Sequence, residues 1–122
     1  MKLRTLTIAA AGAIAIAGPA MAHHSFAMFD SQKEVTLVGT IREFQWTNPH
    51  TWIQVAVPDA TGTLVDWSVE GGNPGDLARR GWKKISLKPG DKVTVKIHPM
   101  KNGTAGGSLV SAMLEDGTMV GR

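Results

Sequence analysis

Two adjacent histidines near the amino end, His23 and His24, are the residues whose type and spacing best suit chemistry. If His23 begins the mature chain, its α-amine and an imidazole nitrogen can bind one metal ion together. A second imidazole, from His24 or His50, completes a three-nitrogen site of the tetragonal kind that suits Cu(II). His98 is a further candidate. The sequence therefore favours a copper site built on His23, His24 and His50.

The segment before these histidines has the order of a cleavable signal peptide. Lys2 and Arg4 form a positive start, an uncharged apolar run follows, and Ala20 and Ala22 are the small residues of a cleavage site. The apolar run is shorter than the roughly 20 residues that a spanning helix needs. We therefore expect residues 1–22 to be removed, leaving a periplasmic protein with no membrane span.

A cut one residue earlier would leave Ala22 on the protein and make His24 the third residue. The amine, two backbone amides and the His24 imidazole would then form a square-planar site for Cu(II) or Ni(II). This local site does not need His50, so substitution of His50 distinguishes it from the three-nitrogen site that His50 completes. Methionines can assist with Cu(I), although isolated ones more often fill packing gaps. Those of the mature chain are Met28, Met100, Met113 and Met119.

No catalytic set accompanies the histidines. The chain has no cysteine, its serines lie in no G-x-S-x-G elbow, and it has no H-E-x-x-H, P-loop or dinucleotide fingerprint. Asp66 and Glu70 share the outward face of a predicted strand, where we expect them to be solvated, and their spacing does not define a glycosidase pair. We therefore expect no catalytic residue and no enzyme.

The mature chain is close to neutral and forms one domain. Because Lys2 and Arg4 leave with the signal, the formal net charge falls from +3 to +1. That balance argues against nucleic acid as a partner. About a hundred residues can build one hydrophobic core, and the chain shows no repeat or linker.

The elements that must position these residues are mostly strands. Alternating apolar residues predict five strands, at 34–47, 52–57, 63–70, 92–98 and 108–115. The apolar residues of the first change parity after Gly39, which requires a bulge or a bend, so this segment is either one long, curved strand or two short ones. Asn73 and Pro74 begin a short helix that Gly81 ends. After the turn at 116–117, residues 118–120 are a candidate stub that folds back.

This order matches an all-β, five-stranded Greek-key barrel of the OB type, with one short helix between strands 3 and 4. An open β-sandwich with the same strands is the alternative. Residues 23–122 form this single domain, and 23–33 are its N-terminal arm. We expect Trp67 and Trp82 to lie in the core.

A second interpretation gives the domain a non-metal ligand, a glycan or an envelope protein as its partner. OB barrels bind sugars and oligonucleotides on exposed aromatics. Trp52 has the opposite parity to the apolar residues of its strand, so it faces a groove or solvent. The candidate ligand-binding residues are Trp46, Asn48, Trp52 and Glu70, near His50. A purely structural envelope protein is a third possibility.

Five motifs run across the mature chain: A-H-H-S-F at 22–26, W-T-N-P-H-x-W at 46–52, V-E-G-G-N-P at 69–74, L-x-R-R-G-W at 77–82 and L-K-P-G-D at 87–91. Together they resemble a family of short secreted bacterial proteins catalogued as domain of unknown function 6152. The resemblance covers essentially the whole mature chain. It implies a bacterial, periplasmic, single-domain protein and assigns no activity.

Overall fold

The structure, a computed structural model, describes residues 26–121. The predicted signal peptide, His23 and His24 lie outside that range. The elements are a 3-10 turn (Phe26–Met28), β1 (Val35–Gln45), β2 (Trp52–Pro58), β3 (Leu64–Glu70), α1 (Pro74–Arg79), β4 (Lys92–Pro99) and β5 (Gly106–Leu114). Every strand begins and ends within two residues of its predicted bounds. Within the described range, no helix is long and apolar enough to cross a membrane.

The five strands close into one barrel in the order β1-β2-β3-β5-β4. β1 pairs antiparallel with both β2 and β4, and the barrel closes where β3 meets β5 in parallel. The helix lies between the third and fourth strands. This is the OB architecture, so the predicted fold is confirmed. The sandwich alternative is wrong because the sheet closes on itself.

β1 pairs with a different neighbouring strand over each half of its length. Residues 35–40 pair with β4, and residues 40–45 pair with β2. The register against β2 shifts between Ile41 and Glu43. Such a bulge changes which residues face the core: Ile41 is buried, and Phe44 packs against the core after the shift. The parity change in the sequence therefore corresponds to a bulge.

The core fills the barrel and continues beneath the segment after β3. Each buried aliphatic side chain contributes roughly 1.5–3 kcal/mol relative to exposure. The strands contribute Leu37, Ile41, Ile53, Val55, Val69, Val93, Val95, Ile97 and Ala112. Leu77 of α1, Trp82 and Leu87 join the same cluster. Val120 also joins it, because the chain folds back after β5 and the N–H of Val120 donates to the carbonyl of Ala112 at 2.8 Å.

The turn between β2 and β3 fixes the register of these two strands. Asp59 Oδ1 accepts the Thr61 hydroxyl at 2.7 Å and the backbone N–H groups of Thr61 and Thr63. The Thr61 hydroxyl is the main cause that holds the pKa of the Asp59 carboxyl below its ordinary value. With this turn in place, Trp52 at the start of β2 lies opposite Glu70 at the end of β3.

The helix α1 starts at a well-formed cap. Asn73 Oδ1 accepts the backbone N–H of Asp76 at 2.8 Å, and Pro74 takes the first helical position, where its missing N–H costs no hydrogen bond. Gly81, with φ of +85°, follows the last turn, in the backbone conformation that glycine adopts most readily. The helix thus begins and ends where local sequence chemistry dictates.

Asn73→Ala is expected to lower the free energy of unfolding by about 1 kcal/mol, because the N–H of Asp76 loses its acceptor. Urea denaturation followed by tryptophan fluorescence measures the change. Asn73→Ser is the matched control, because it keeps an accepting oxygen and should stay close to the parent protein. An equal loss in both variants would contradict the capping role.

Candidate functional site

Glu70, the last residue of β3, is a buried charged residue with a side chain only 4% exposed. The expectation that Asp66 and Glu70 both face solvent is wrong for Glu70. Asp66 is exposed and pairs with Arg42 at 3.1 Å. Glu70 has the same strand parity, but it contacts His50 and pairs with Trp52 of β2 and Ser108 of β5. The burial therefore comes from segments distant in sequence.

A cavity of about 220 Å³ lies beside Glu70. Its wall is mostly apolar and is built from the N-terminal arm, β2, β3 and the β4–β5 connection. The lining residues are Met28, Phe29, Trp52, Ser68, Glu70, Met100, Thr104, Ala105, Gly106 and Gly107. Among them Glu70 is the only charged residue, so the cavity suits a cation or a largely apolar ligand.

Backbone pairing holds the arm against this cavity. Phe29 is buried and forms an isolated bridge with Met100. The N–H of Lys101 donates to the carbonyl of Met28 at 2.9 Å. The N–H of Asp30 donates to the carbonyl of Pro99 at 2.8 Å. The arm therefore extends the barrel wall beyond the end of β4.

His50 lies two residues before β2 and faces the same carboxylate. Its Nδ1 is 3.3 Å from the carbonyl oxygen of Gly71 and 3.4 Å from Oε1 of Glu70. Both oxygens accept, so Nδ1 carries the proton that it donates. In that tautomer Nε2 is an acceptor, and no described residue hydrogen-bonds to it. A carbonyl or carboxylate orients metal-binding histidines in this way.

The loop that carries His50 is clamped to the two glycines after Glu70. Thr51 is fully buried, and its backbone N–H and hydroxyl both donate to the carbonyl of Gly72, at 3.0 and 2.9 Å. The N–H of Gly71 donates to the carbonyl of Thr51 at 2.8 Å. A Cβ on Gly71 would lie 2.3 Å from Thr51 Oγ1, so this contact requires glycine. The clamp places His50 beside Glu70.

The structure places the predicted ligand-binding residues in two groups. Trp52 and Glu70 line the cavity, and His50 contacts Glu70. Trp46 instead packs against the hydrophobic core, and Asn48 is exposed; neither lines this cavity.

The predicted metal ligands divide between the described and undescribed parts of the chain. His23 and His24 lie outside residues 26–121, and His50 lies within them. Over that range, no group of three or more His, Cys, Asp or Glu side chains is placed to hold a metal ion. His98 is engaged separately, with Nδ1 donating to the carbonyl of Lys33 at 2.8 Å.

Sequence reasoning did not bring Met28 and Met100 together. Both line the cavity, although they lie in the arm and just after β4. For Met28 a local signal exists, because the arm also contains Phe26 and Phe29, and such an apolar segment is typical of one that packs against the domain. For Met100 the local sequence gives no such signal. Its proximity to Met28 depends on how the N-terminal arm packs against the barrel.

Together the closed barrel, the clamped His50 loop and the cavity define a small OB-type protein with a candidate binding site at the end of β3. The chain belongs to the family described as "Family of unknown function (DUF6152)", which it matches over residues 11–110. The resemblance predicted from the motifs is therefore confirmed.

Among solved structures, the mitochondrial single-stranded DNA binding protein from S. cerevisiae is similar, with a TM-score of 0.47 and 14% identity. The similarity covers 74% of this chain and 97% of that one. No curated protein matches the sequence.

Proposed function

We propose that the mature protein is a periplasmic copper-binding protein that holds or passes the metal and catalyses no reaction. His23, with its free α-amine, and His24 are the N-terminal ligands, and His50 is the ligand from the barrel. The observation that carries the proposal is the orientation of His50. Its Nδ1 donates towards Gly71 and Glu70, which leaves Nε2 as a nitrogen ligand.

The buried carboxylate of Glu70 supports the proposal through charge. A negative group behind a ligating imidazole raises the basicity of the ligand and fixes its ring orientation. Glu70 is buried and lies within 3.4 Å of His50 Nδ1, so a cation on the far side of that ring is favoured. The lining of the adjacent cavity contains no lysine or arginine that would oppose this effect.

The N-terminal arm leads towards the site, as a shared metal ion would require. Met28 lines the cavity beside Glu70, and Phe26, where the described chain begins, follows His24 by two residues. Two extended residues span up to roughly 7 Å. We infer that His23 and His24 approach His50 from the start of this arm.

A non-metal ligand in the same cavity is the second candidate function. Trp52 and Glu70 share its wall, which gives a stacking surface and one charge. The wall is mostly apolar, whereas a glycan requires several polar partners. A small apolar or cationic molecule fits this chemistry better than a sugar.

The test is a Cu(II) titration of the secreted, tag-free protein, with tryptophan fluorescence as the readout. Intact mass first shows whether His23 is the first residue. His50→Ala is expected to weaken Cu(II) binding by about 10–100-fold, because the site then loses its imidazole ligand beside Glu70. His98→Ala is the matched control and should leave the affinity unchanged, since His98 lies in β4 and does not line the cavity beside Glu70.

Other results of this titration would favour a different metal site or a different ligand. If His50→Ala has no effect and a short N-terminal peptide binds equally well, the metal occupies a local site and the role of His50 is wrong. If the protein with His23 first binds no copper more tightly than about micromolar, which corresponds to about 8 kcal/mol of binding free energy, the metal proposal fails. A response to an organic ligand alone then supports the second candidate.

A further inference from the structure

The cavity beside Glu70 contains two thioether side chains that the Cu(II) site does not use. We propose that Met28, Met100 and Trp52, with the carboxylate of Glu70, form a separate site for Cu(I). The inference rests on the proposed copper function for its physiological role, but the Cu(I) ligands differ from the Cu(II) ligands. Cu(II) would be held by histidine nitrogens at one side of Glu70, and Cu(I) by sulfur in the cavity.

Backbone contacts bring the two methionines to one wall. The Met28 carbonyl accepts the N–H of Lys101, the residue after Met100, at 2.9 Å. Phe29 bridges Met100, and the Met100 N–H donates to the carbonyl of Gly106 at 3.1 Å. Both methionines are half-buried and line the cavity. Their relative position is thus set by backbone contacts between the arm and the chain after β4.

The chemistry of the wall matches Cu(I) better than Cu(II). Thioethers are soft, neutral ligands that select Cu(I), whereas imidazole and amine nitrogens suit Cu(II). The face of the Trp52 ring attracts a cation that lies over it. Glu70 offsets the positive charge and is the only charged lining residue. A monovalent soft cation would therefore meet sulfur, an aromatic face and one compensating carboxylate.

The space around the sulfurs argues against a purely packing role. Methionine commonly fills irregular gaps in a core, yet here about 220 Å³ stays open beside both side chains. Gly106 also lines that space, and a Cβ there would lie 3.4 Å from Cγ of Met100 and 3.1 Å from the carbonyl oxygen of Ser68. Met113 and Met119 bridge each other elsewhere and do not line the cavity.

Binding of Ag(I), a redox-inert substitute for Cu(I), tests the site, with Cu(I) under anaerobic conditions as the second probe. Met28→Leu and Met100→Leu conserve volume and should be tolerated by the fold. Each is expected to weaken Ag(I) and Cu(I) binding by roughly tenfold or more, because one soft ligand is lost. Cu(II) affinity should stay within about twofold, because its nitrogen ligands remain. Met119→Leu is the matched control and should change neither affinity.

The outcomes separate this inference from the copper function proposed above. Unchanged Ag(I) and Cu(I) affinities in both leucine variants would overturn the thioether site, whatever Cu(II) does. Loss of Cu(I) binding in His50→Ala alone, with no effect of the leucine variants, would also overturn it and assign both metals to the histidines. Loss of Ag(I) binding in the leucine variants of a protein that binds no Cu(II) would keep this site and reject the Cu(II) function.

Discussion

Retention of Ala20-Met21-Ala22 ahead of His23 is expected to lower Cu(II) affinity by about a hundredfold or more. The α-amine then lies three residues away from His23 and no longer binds the same ion as its imidazole. Neither histidine is then at the third position, so a square-planar site of amine and backbone amides cannot form at His24. The measurement is competition against a chelator of known affinity, with the authentic mature protein as the reference.

Retention of Ala22 alone is the informative companion variant. It makes His24 the third residue and so permits the local four-nitrogen site, whose affinity should not respond to His50→Ala. The authentic protein should respond. In either site protons compete for the nitrogens, so affinity should fall as the pH drops through the ordinary imidazole pKa of about 6.5. Equal affinities with and without the three extra residues would show that the N-terminal amine is not a ligand.

Gly39→Ala is expected to destabilise the barrel by about 3 kcal/mol or more. A Cβ at this position would lie 2.2 Å from the carbonyl oxygen of Ala56 and 3.1 Å from Cγ2 of Val55. β1 is paired with β2 on one side and with β4 on the other, so neither backbone can move away without breaking a strand pair. For a domain of this size, that loss lowers Tm by roughly 12–24 °C.

Gly72→Ala is the matched control for this effect. A Cβ on Gly72 would find its nearest neighbour, a Leu77 side-chain carbon, at 3.7 Å, which is ordinary contact. Thermal unfolding followed by circular dichroism compares the two variants. A similar Tm for both would contradict the close approach of β1 and β2 at Gly39.

Much of the fold could be predicted because its signals are local. Period-two alternation placed all five strands, and the parity change in β1 indicated the bulge that the register shift between Ile41 and Glu43 shows. The helix could be predicted from Asn73, Pro74 and Gly81, because these residues start or end a helix through contacts and backbone preferences within one helical turn. The order of strands along the chain and the position of the helix are compatible with few topologies, and the OB barrel is one of them.

The candidate site was only partly predictable, because burial depends on which segments cross in space. Sequence position singled out His50, Trp52 and Glu70, but strand parity placed the Glu70 carboxylate in solvent. The tertiary structure decided its burial, because the His50 loop, β2 and β5 all meet the end of β3.

The pairing of Met28 with Met100 has the same physical origin. The two residues are far apart in the sequence, and no local pattern links them. They share a cavity because the arm pairs with the chain just after β4 through the bridge between Phe29 and Met100. The sequence by itself thus determined the strands, the turns and the family. Only the tertiary structure decided which polar and sulfur-containing side chains line one cavity, since that depends on long-range backbone pairing.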